Sequence, residues 1–337
     1  MYVKNKSPSA LSLADLGWSS FFQDQLDASE IALRPARIAI VHRSRMSAET
    51  MDGPARLLLP PKTNTTDFAV GDWVLLNADS DMLVRRLDRQ SLLKRAAKGG
   101  RVPQLIAANI DTLFIVTSCN DDFNPARLER YLALANEAGT KPVIVLTKAD
   151  KVDDTADYLE QATALQRGLD VVIVNAKTPD AAAVLAPWCS DGQTVALVGS
   201  SGVGKSTLLN TLAGKSAEDA QETGDIREDD AKGRHTTTSR SLHAVKGGGW
   251  LIDTPGMRTL HVSDVSVGLD VLFAEITELG PECKFRNCTH SHEPGCAVQA
   301  AVKAGTLDRA RLERWRKLDD ENRDNTAASS QTRGNRW

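Results

Sequence analysis

The chain has 337 residues, 41% of them hydrophobic and 25% charged, with a formal net charge of -3; that is enough apolar content for two or three packed cores, and it excludes a polyelectrolyte that binds nucleic acid along its whole length. No apolar run approaches the roughly 18 to 20 residues of a membrane span, and the start "MYVKNKSPSALSLADLGWSS" lacks a signal-peptide core, so a cytoplasmic protein without membrane contact is expected. Of the five cysteines, Cys283, Cys288 and Cys296 crowd together, which in a reducing compartment suits a metal better than disulfides, while Cys119 and Cys189 read as small buried residues.

Residues 1–33 are weakly patterned and read as a poorly ordered extension with one short helix around Trp18 to Leu26. From 34 to 100, the pieces "ARIAIVH", "ARLLLP", "DFAVGDWVLL" and "DMLVRRL", separated by turn residues, predict a small β-barrel. Between Arg34 and Arg101 there are 13 Lys and Arg against 7 Asp and Glu, which suits either an RNA-binding platform or ordinary solvated charge.

From Ala108 to Thr254, apolar strands alternate with helical stretches, the pattern of a mainly parallel sheet covered by helices. The predicted strands are "DTLFIVT", "PVIVLT", "DVVIVN", "TVALVG" and "GWLIDT". Asn124 caps the first helix, with Pro125 in its first turn and Gly139 at its end. A second helix ends near Gly168, and Thr178 and Pro179 start a third. Beyond residue 265 come a helical stretch, the Cys/His cluster and the helix-forming "AVQAAVKAGTLDRARLERWRKLDDENR"; the polar tail 325–337 reads as disordered.

The segment "VALVGSSGVGKSTLLN" carries Gly199, Ser200, Ser201, Gly202, Val203, Gly204, Lys205 and Ser206 in phosphate-loop spacing, immediately after a strand and before a helix, with Thr207 a further GTP-binding candidate. Backbone N–H groups of such a loop curl around phosphates, the lysine neutralises the β and γ oxygens, and the serine hydroxyl suits Mg²⁺. Downstream, "DTPG" places Asp253 to reach Mg²⁺ through water and Gly256 to meet a γ-phosphate. Between them the Gly-rich stretch around His235, Thr236, Thr237 and Thr238 suits a switch loop, with Thr237 the Mg²⁺ candidate.

Ahead of all this stands "TKAD", Thr147, Lys148, Ala149 and Asp150, at the end of a predicted strand. A carboxylate there accepts paired hydrogen bonds from guanine N1–H and its 2-amino group; adenine leaves it unpaired, which selects GTP over ATP. After the next strand, "NAKT", with Asn175, Ala176 and Lys177, suits the loop that supports the base from its other side. Base-reading loops therefore precede the phosphate loop, which is a circular permutation of the usual GTPase order.

With "AANIDTLFIVTS", "FNPARLERYL", "LTKAD", "GSSGVGKSTLLN", "GRHTTTS", "DTPGMR" and the cysteine cluster in place, the chain resembles the RsgA (YjeQ) family of circularly permuted GTPases over about residues 34–320. The resemblance implies an OB-type barrel at 34–100, a permuted α/β P-loop GTPase at 101–262 and an α-helical zinc-binding domain at 263–324. It also implies binding to the small ribosomal subunit and its rRNA, a role in late subunit maturation alongside other assembly factors, and GTP hydrolysis to GDP stimulated by that subunit. The chain is expected to act as a monomer.

The cluster "CKFRNCTHSHEPGC" offers Cys283, Cys288, His290 and Cys296; three thiolates and an imidazole fill a tetrahedral Zn²⁺ shell, so a structural ion is expected, with His292 spare. Met257 follows Gly256 where Ras-like enzymes place a water-orienting Gln, so intrinsic hydrolysis should be slow and His235 is the candidate to orient the water, with Arg234 for charge. Two other classes remain: a P-loop kinase, which leaves "TKAD" unexplained, and an RNA-binding zinc protein with a vestigial GTP site. Because D-x-x-G runs directly into the zinc domain, nucleotide state is expected to reorient residues 266–320.

Overall fold

The computed structural model describes residues 11–95, 103–214, 240–254 and 262–334. Short strands build the N-terminal part: β1 (Arg34–Val41), β2 (Met46–Thr50), β3 (Gly53–Arg56), β4 (Trp73–Leu76) and β5 (Leu83–Arg86). β1 pairs antiparallel with β2 and β4, β2 with β3, and β4 with β5. A bridge from Leu58, just after β3, to Met82, just before β5, brings the two ends of this sheet together as a barrel-like ring. Ala36, Ile38, Met46, Ala48, Val74, Leu76 and Leu83 fill its interior. β2 has the sequence MSAET, with a single large apolar side chain, so it does not stand out as a strand from sequence.

A ribbon of β6 (Leu92–Arg95) and β7 (Gln104–Ala108) leads into the central sheet. There β8 (Thr112–Ser118), β9 (Lys141–Thr147), β10 (Asp170–Ile173), β11 (Thr194–Gly199) and β13 (Trp250–Asp253) run parallel, and β12 (Ser241–Ala244) is antiparallel to β13. These are the five predicted strands plus β12. β8 and β11 are buried at every residue, as expected of central strands covered on both faces. Strand order is β10-β9-β8-β11-β13-β12, then on to β1 through Ile40 opposite Ser241, so barrel and GTPase sheet are continuous. From β8 the chain builds outward through β9 and β10, returns to β11 on the other side of β8, crosses to the outer strand β12 and comes back to β13 between β11 and β12. β8 and β11 thus flank a topological switch point, where ligands of open α/β sheets bind.

The segment before β1 departs from expectation. A four-residue helix α1 (Ser20–Gln23) is present, but the described part, residues 11–33, is packed rather than loose: Leu16 and Phe22 are buried, and Trp18 meets Trp73 edge-on at 4.8 Å. Trp250 Nε1 donates to the Asp15 carbonyl at 2.7 Å, and buried Arg37 donates to the Leu16 carbonyl at 2.7 Å and to Thr194 Oγ1 at 2.6 Å. Burial lowers the Arg37 guanidinium to about 10. One arginine therefore ties segment, barrel and GTPase sheet together, through contacts that no local sequence pattern encodes.

Helices α2 (Pro125–Glu137), α3 (Ala156–Thr163), α4 (Asp180–Leu185) and α5 (Lys205–Leu212) cover the sheet. Asn124 Oδ1 caps α2 by accepting from Arg127 N at 3.0 Å. The C-terminal part comprises α6 (Ser266–Leu272), α7 (Ala274–Leu279), α8 (Ala297–Ala304) and α9 (Arg309–Gly334). The tail expected to be disordered from residue 325 instead continues α9 as far as Gly334. Asn325 Nδ2 donates to the Val262 carbonyl at 2.7 Å, and Thr326 Oγ1 accepts from Asp264 N at 2.8 Å, so polar side chains there cap a neighbouring loop. Among the described residues no helix is long and apolar enough to cross a membrane.

Candidate functional site

The parallel strands aim the sequence-predicted groups at one end of the sheet. Gly199 closes β11, Thr147 closes β9, the 174–178 loop follows β10, and Asp253 closes β13. A Cβ on Gly199 would lie 2.2 Å from the Val116 carbonyl oxygen, so only glycine lets β11 pass β8 here. Gly204, at φ +100°, turns the chain into α5. Lys205 Nζ folds back onto the Ser200 carbonyl, an intraloop contact that bound phosphate would replace.

Thr147 stands where many GTPases carry Asn, and its hydroxyl lies 2.6 Å from the Val203 carbonyl and 3.1 Å from the Thr117 carbonyl. The side chain is wholly buried. A hydroxyl thus links the base loop to the phosphate loop across 56 residues of sequence. Lys148 takes the left-handed conformation, φ +57°, and opens the short turn Ala149–Lys151. Asp150 is exposed there, with Lys151 Nζ 3.7 Å away. On the second base loop Asn175 Oδ1 accepts from Lys177 N at 3.1 Å, and the Ala176 carbonyl accepts from Thr211 Oγ1 of α5 at 2.8 Å. The helix that leaves the phosphate loop therefore also positions the second base loop.

Two contacts here were not legible in the sequence. Arg127, in the first turn of α2, donates to Ser200 Oγ at 2.6 Å. Thr254 Oγ1 donates to the Leu197 carbonyl at 2.6 Å and pins the start of the D-x-x-G element to the phosphate-loop strand. Each joins residues more than fifty apart, so only the tertiary arrangement reveals them. His235, Thr236, Thr237 and Gly256 lie outside the described residues.

The second candidate centre lies between α7 and α8. Ligand atoms of Cys283, Cys288, His290 and Cys296 lie within 4.8 Å of one another. His290 Nδ1 is 3.5 Å from Cys283 Sγ and 3.4 Å from Cys296 Sγ, and the two sulfurs are 3.9 Å apart. Zn–S bonds of about 2.3 Å and a Zn–N bond of about 2.0 Å at tetrahedral angles require edges of about 3.8 and 3.5 Å. The edges among Cys283, His290 and Cys296 match that shell and Cys288 Sγ lies within 4.8 Å of each, so the four donors could hold a tetrahedral metal. Burial lowers the His290 pKa, favouring the neutral imidazole a metal needs. Cys296 Sγ caps α8, accepting from Gln299 N at 3.4 Å, and Trp315 packs beside His290 with centroids 5.4 Å apart. Exposed His292 stands outside the set, its N–H on Glu293. Away from both centres Cys119 and Cys189 are buried, and burial pushes the Cys189 thiol up to about 12.

The model of the RsgA GTPase family matches residues 86–263. A protein of Mesorhizobium japonicum named small ribosomal subunit biogenesis GTPase RsgA is 66% identical over 98% of this chain and 96% of its own. A Vibrio vulnificus protein named small ribosomal subunit biogenesis GTPase RsgA 2 is 49% identical over 91% of this chain and 86% of its own. Among solved structures, YloQ, described as a circularly permuted GTPase, superposes with a TM-score of 0.62 at 25% identity, covering 89% of this chain and 98% of that one. YjeQ from Thermotoga maritima gives 0.61 at 27% identity, covering 85% and 97%.

Proposed function

The chain belongs to the RsgA GTPase family and is a GTP hydrolase, and from that premise we propose that it acts in the cytoplasm on the small ribosomal subunit during late maturation. Hydrolysis is stimulated by the subunit and coupled to release of the protein itself or of an assembly factor. The contact of Thr147 Oγ1 with the Val203 carbonyl supports the nucleotide part of this reading, because it sets the loop we read as guanine-binding beside the one we read as phosphate-binding, and the likeness to relatives named for small-subunit biogenesis supports the ribosomal part.

In this reading Asp150 accepts from guanine N1–H and the 2-amino group, Lys148 lays its stem along the purine, and the loop from Asn175 to Lys177 backs the base. Backbone N–H groups from Gly199 to Thr207 and the positive end of α5 hold the phosphates, while Lys205 neutralises the β and γ oxygens. Ser206 and Thr237 would hold Mg²⁺ directly and Asp253 through water; the ion supplies charge neutralisation at the β and γ oxygens. Water attacks the γ-phosphorus in line with the leaving β-γ bridging oxygen. Gly256 N–H meets the γ-phosphate, and His235 orients the water because Met257 has no group to do so. Cys283, Cys288, His290 and Cys296 would hold one structural Zn²⁺, which braces the polypeptide around it. The β1–β5 barrel, of OB type, meets rRNA, and the chain works as a monomer.

The test is GTP turnover with and without small ribosomal subunits. The expected result is slow intrinsic hydrolysis and a stimulation that His235→Ala loses; equal rates with and without subunits would overturn the subunit-dependent reading.

A further inference from the structure

The loop between the first two metal-ligand positions carries an exposed aromatic ring. Lys284, Phe285, Arg286 and Asn287 are all exposed, and Phe285 leaves 41% of its surface in water. Other aromatic groups of this region are covered: Phe273 is buried under the Arg311 guanidinium, 4.1 Å from its ring centroid, and Trp315 packs on His290. An exposed phenyl ring forgoes the stabilisation that burial gives it.

This ring is held on a defined frame. Cys288 N donates to the Phe285 carbonyl at 3.2 Å, closing a tight turn, and Lys284 N donates to the Gly295 carbonyl at 3.0 Å, tying the turn to the far side of the cluster. Lys284 Nζ lies over one face of the Phe285 ring, 5.5 Å from its centroid, so the opposite face is the one offered for stacking, and Arg286 follows the ring in sequence. Glu293 is turned back onto its own loop, accepting from Thr289 N at 2.8 Å, Ser291 N at 2.9 Å and His292 N at 3.1 Å. Exposed Glu282 sits before the first cysteine, so the tip from 284 to 287 carries positive charge only.

A half-exposed aromatic ring with a lysine over one face and an arginine next in sequence matches a nucleic-acid strand, whose bases stack on aromatic faces while its phosphates meet Lys and Arg. An apolar protein surface would have to desolvate both cations, and a duplex keeps its base faces covered by neighbouring pairs. We propose that Phe285 is a stacking platform for one unpaired RNA base, with Lys284 and Arg286 on the phosphates that flank it. This rests on the reading that rRNA of the small subunit is the partner, and deepens it by naming the contact.

The test uses the full-length, zinc-loaded protein and measures affinity for small ribosomal subunits, for a short single-stranded oligoribonucleotide and for a duplex of equal length. Zinc content and basal GTP turnover are measured on every variant to confirm folding. Phe285→Ala is expected to weaken binding to subunits and single strands about tenfold or more, Phe285→Trp to retain it, and duplex binding to stay unchanged. Replacing Lys284 and Arg286 by Gln should flatten the salt dependence, which Phe285→Ala leaves intact. Wild-type binding with no loss in Phe285→Ala overturns the stacking proposal alone. Lost subunit binding with unchanged single-strand binding overturns it in favour of a ribosomal protein contact. A wild-type protein that binds neither subunits nor RNA overturns the underlying reading as well.

Discussion

Arg311 Nη1 donates to Glu129 Oε1 across 2.7 Å, joining the C-terminal helix α9 to helix α2 of the GTPase through a carboxylate with no solvent exposure. Arg314 Nε reaches the same oxygen at 2.8 Å, and Arg311 also donates to Glu275 at 2.8 Å and to the Leu272 carbonyl at 2.7 Å. Glu129→Ala takes this shared acceptor from both arginines, while Arg311 keeps Glu275 and the Leu272 carbonyl. The substitution should therefore destabilise the protein by about 2–3 kcal/mol, the scale of lost charge-assisted hydrogen bonds, read as a lower denaturation midpoint; a loss below about 1 kcal/mol, the level of an exposed pair, would show that this contact does not hold the two parts together.

α2 also joins the phosphate loop to the C-terminal helices. Its first turn holds Ser200 through Arg127 at 2.6 Å, and Arg130 pairs with Glu321 of α9 at 2.7 Å. These contacts make α2 a candidate route for the expected coupling between nucleotide state and the C-terminal domain, besides the D-x-x-G connection, of which residues 255–261 lie outside the described residues. Small-subunit affinity should differ between GDP and a nonhydrolysable GTP analogue, and Arg127→Ala should shrink that difference. Equal affinities in the two nucleotide states would refute the coupling.

Thr147→Val keeps shape and removes the hydroxyl that meets the Val203 carbonyl. Losing this buried hydrogen bond should weaken GTP and GDP binding by about 1–2 kcal/mol, roughly five- to thirtyfold, in a direct titration. Unchanged affinity would mean that the junction does not order the site.

Asp150 is exposed at the end of the base loop, placed by the left-handed Lys148. Asp150→Asn should exchange guanosine for xanthosine preference, because the amide supplies a donor where xanthine offers a second carbonyl. A competition assay in which the variant still prefers GTP over XTP would remove Asp150 from base selection.

Much of the GTPase sheet was legible because its signals are local. Continuous apolar runs mark buried parallel strands, Asn124 and Pro125 mark a helix start, and glycine spacing marks the phosphate loop. β2 was not legible, since a barrel strand with one large apolar residue gains its burial from β1 and β3. Nor was residue 325 the end of order, because Asn325 and Thr326 find partners at 262–264, which sequence cannot place nearby. The basic surplus of the barrel also misleads as a measure of free surface charge. Arg37 is buried, and Arg34, Arg85 and Arg89 pair with Asp52 and Asp81, Glu30 and Asp72.

The sequence by itself determined the permuted order of the base and phosphate loops, and with it the nucleotide and the chemistry, because both motifs are short and their function depends on residue type at fixed spacing. It also picked out Cys283, Cys288, His290 and Cys296, whose ligand atoms the structure gathers within 4.8 Å and which could hold a metal. Only the tertiary structure decided how these parts act on one another: that Thr147 closes the site on Val203, that Arg37 fastens the N-terminal segment between barrel and sheet, and that α2 spans from Ser200 to α9. Those contacts join residues up to 191 apart in the chain, and hydrogen bonds between such residues depend on packing geometry, which no local pattern encodes.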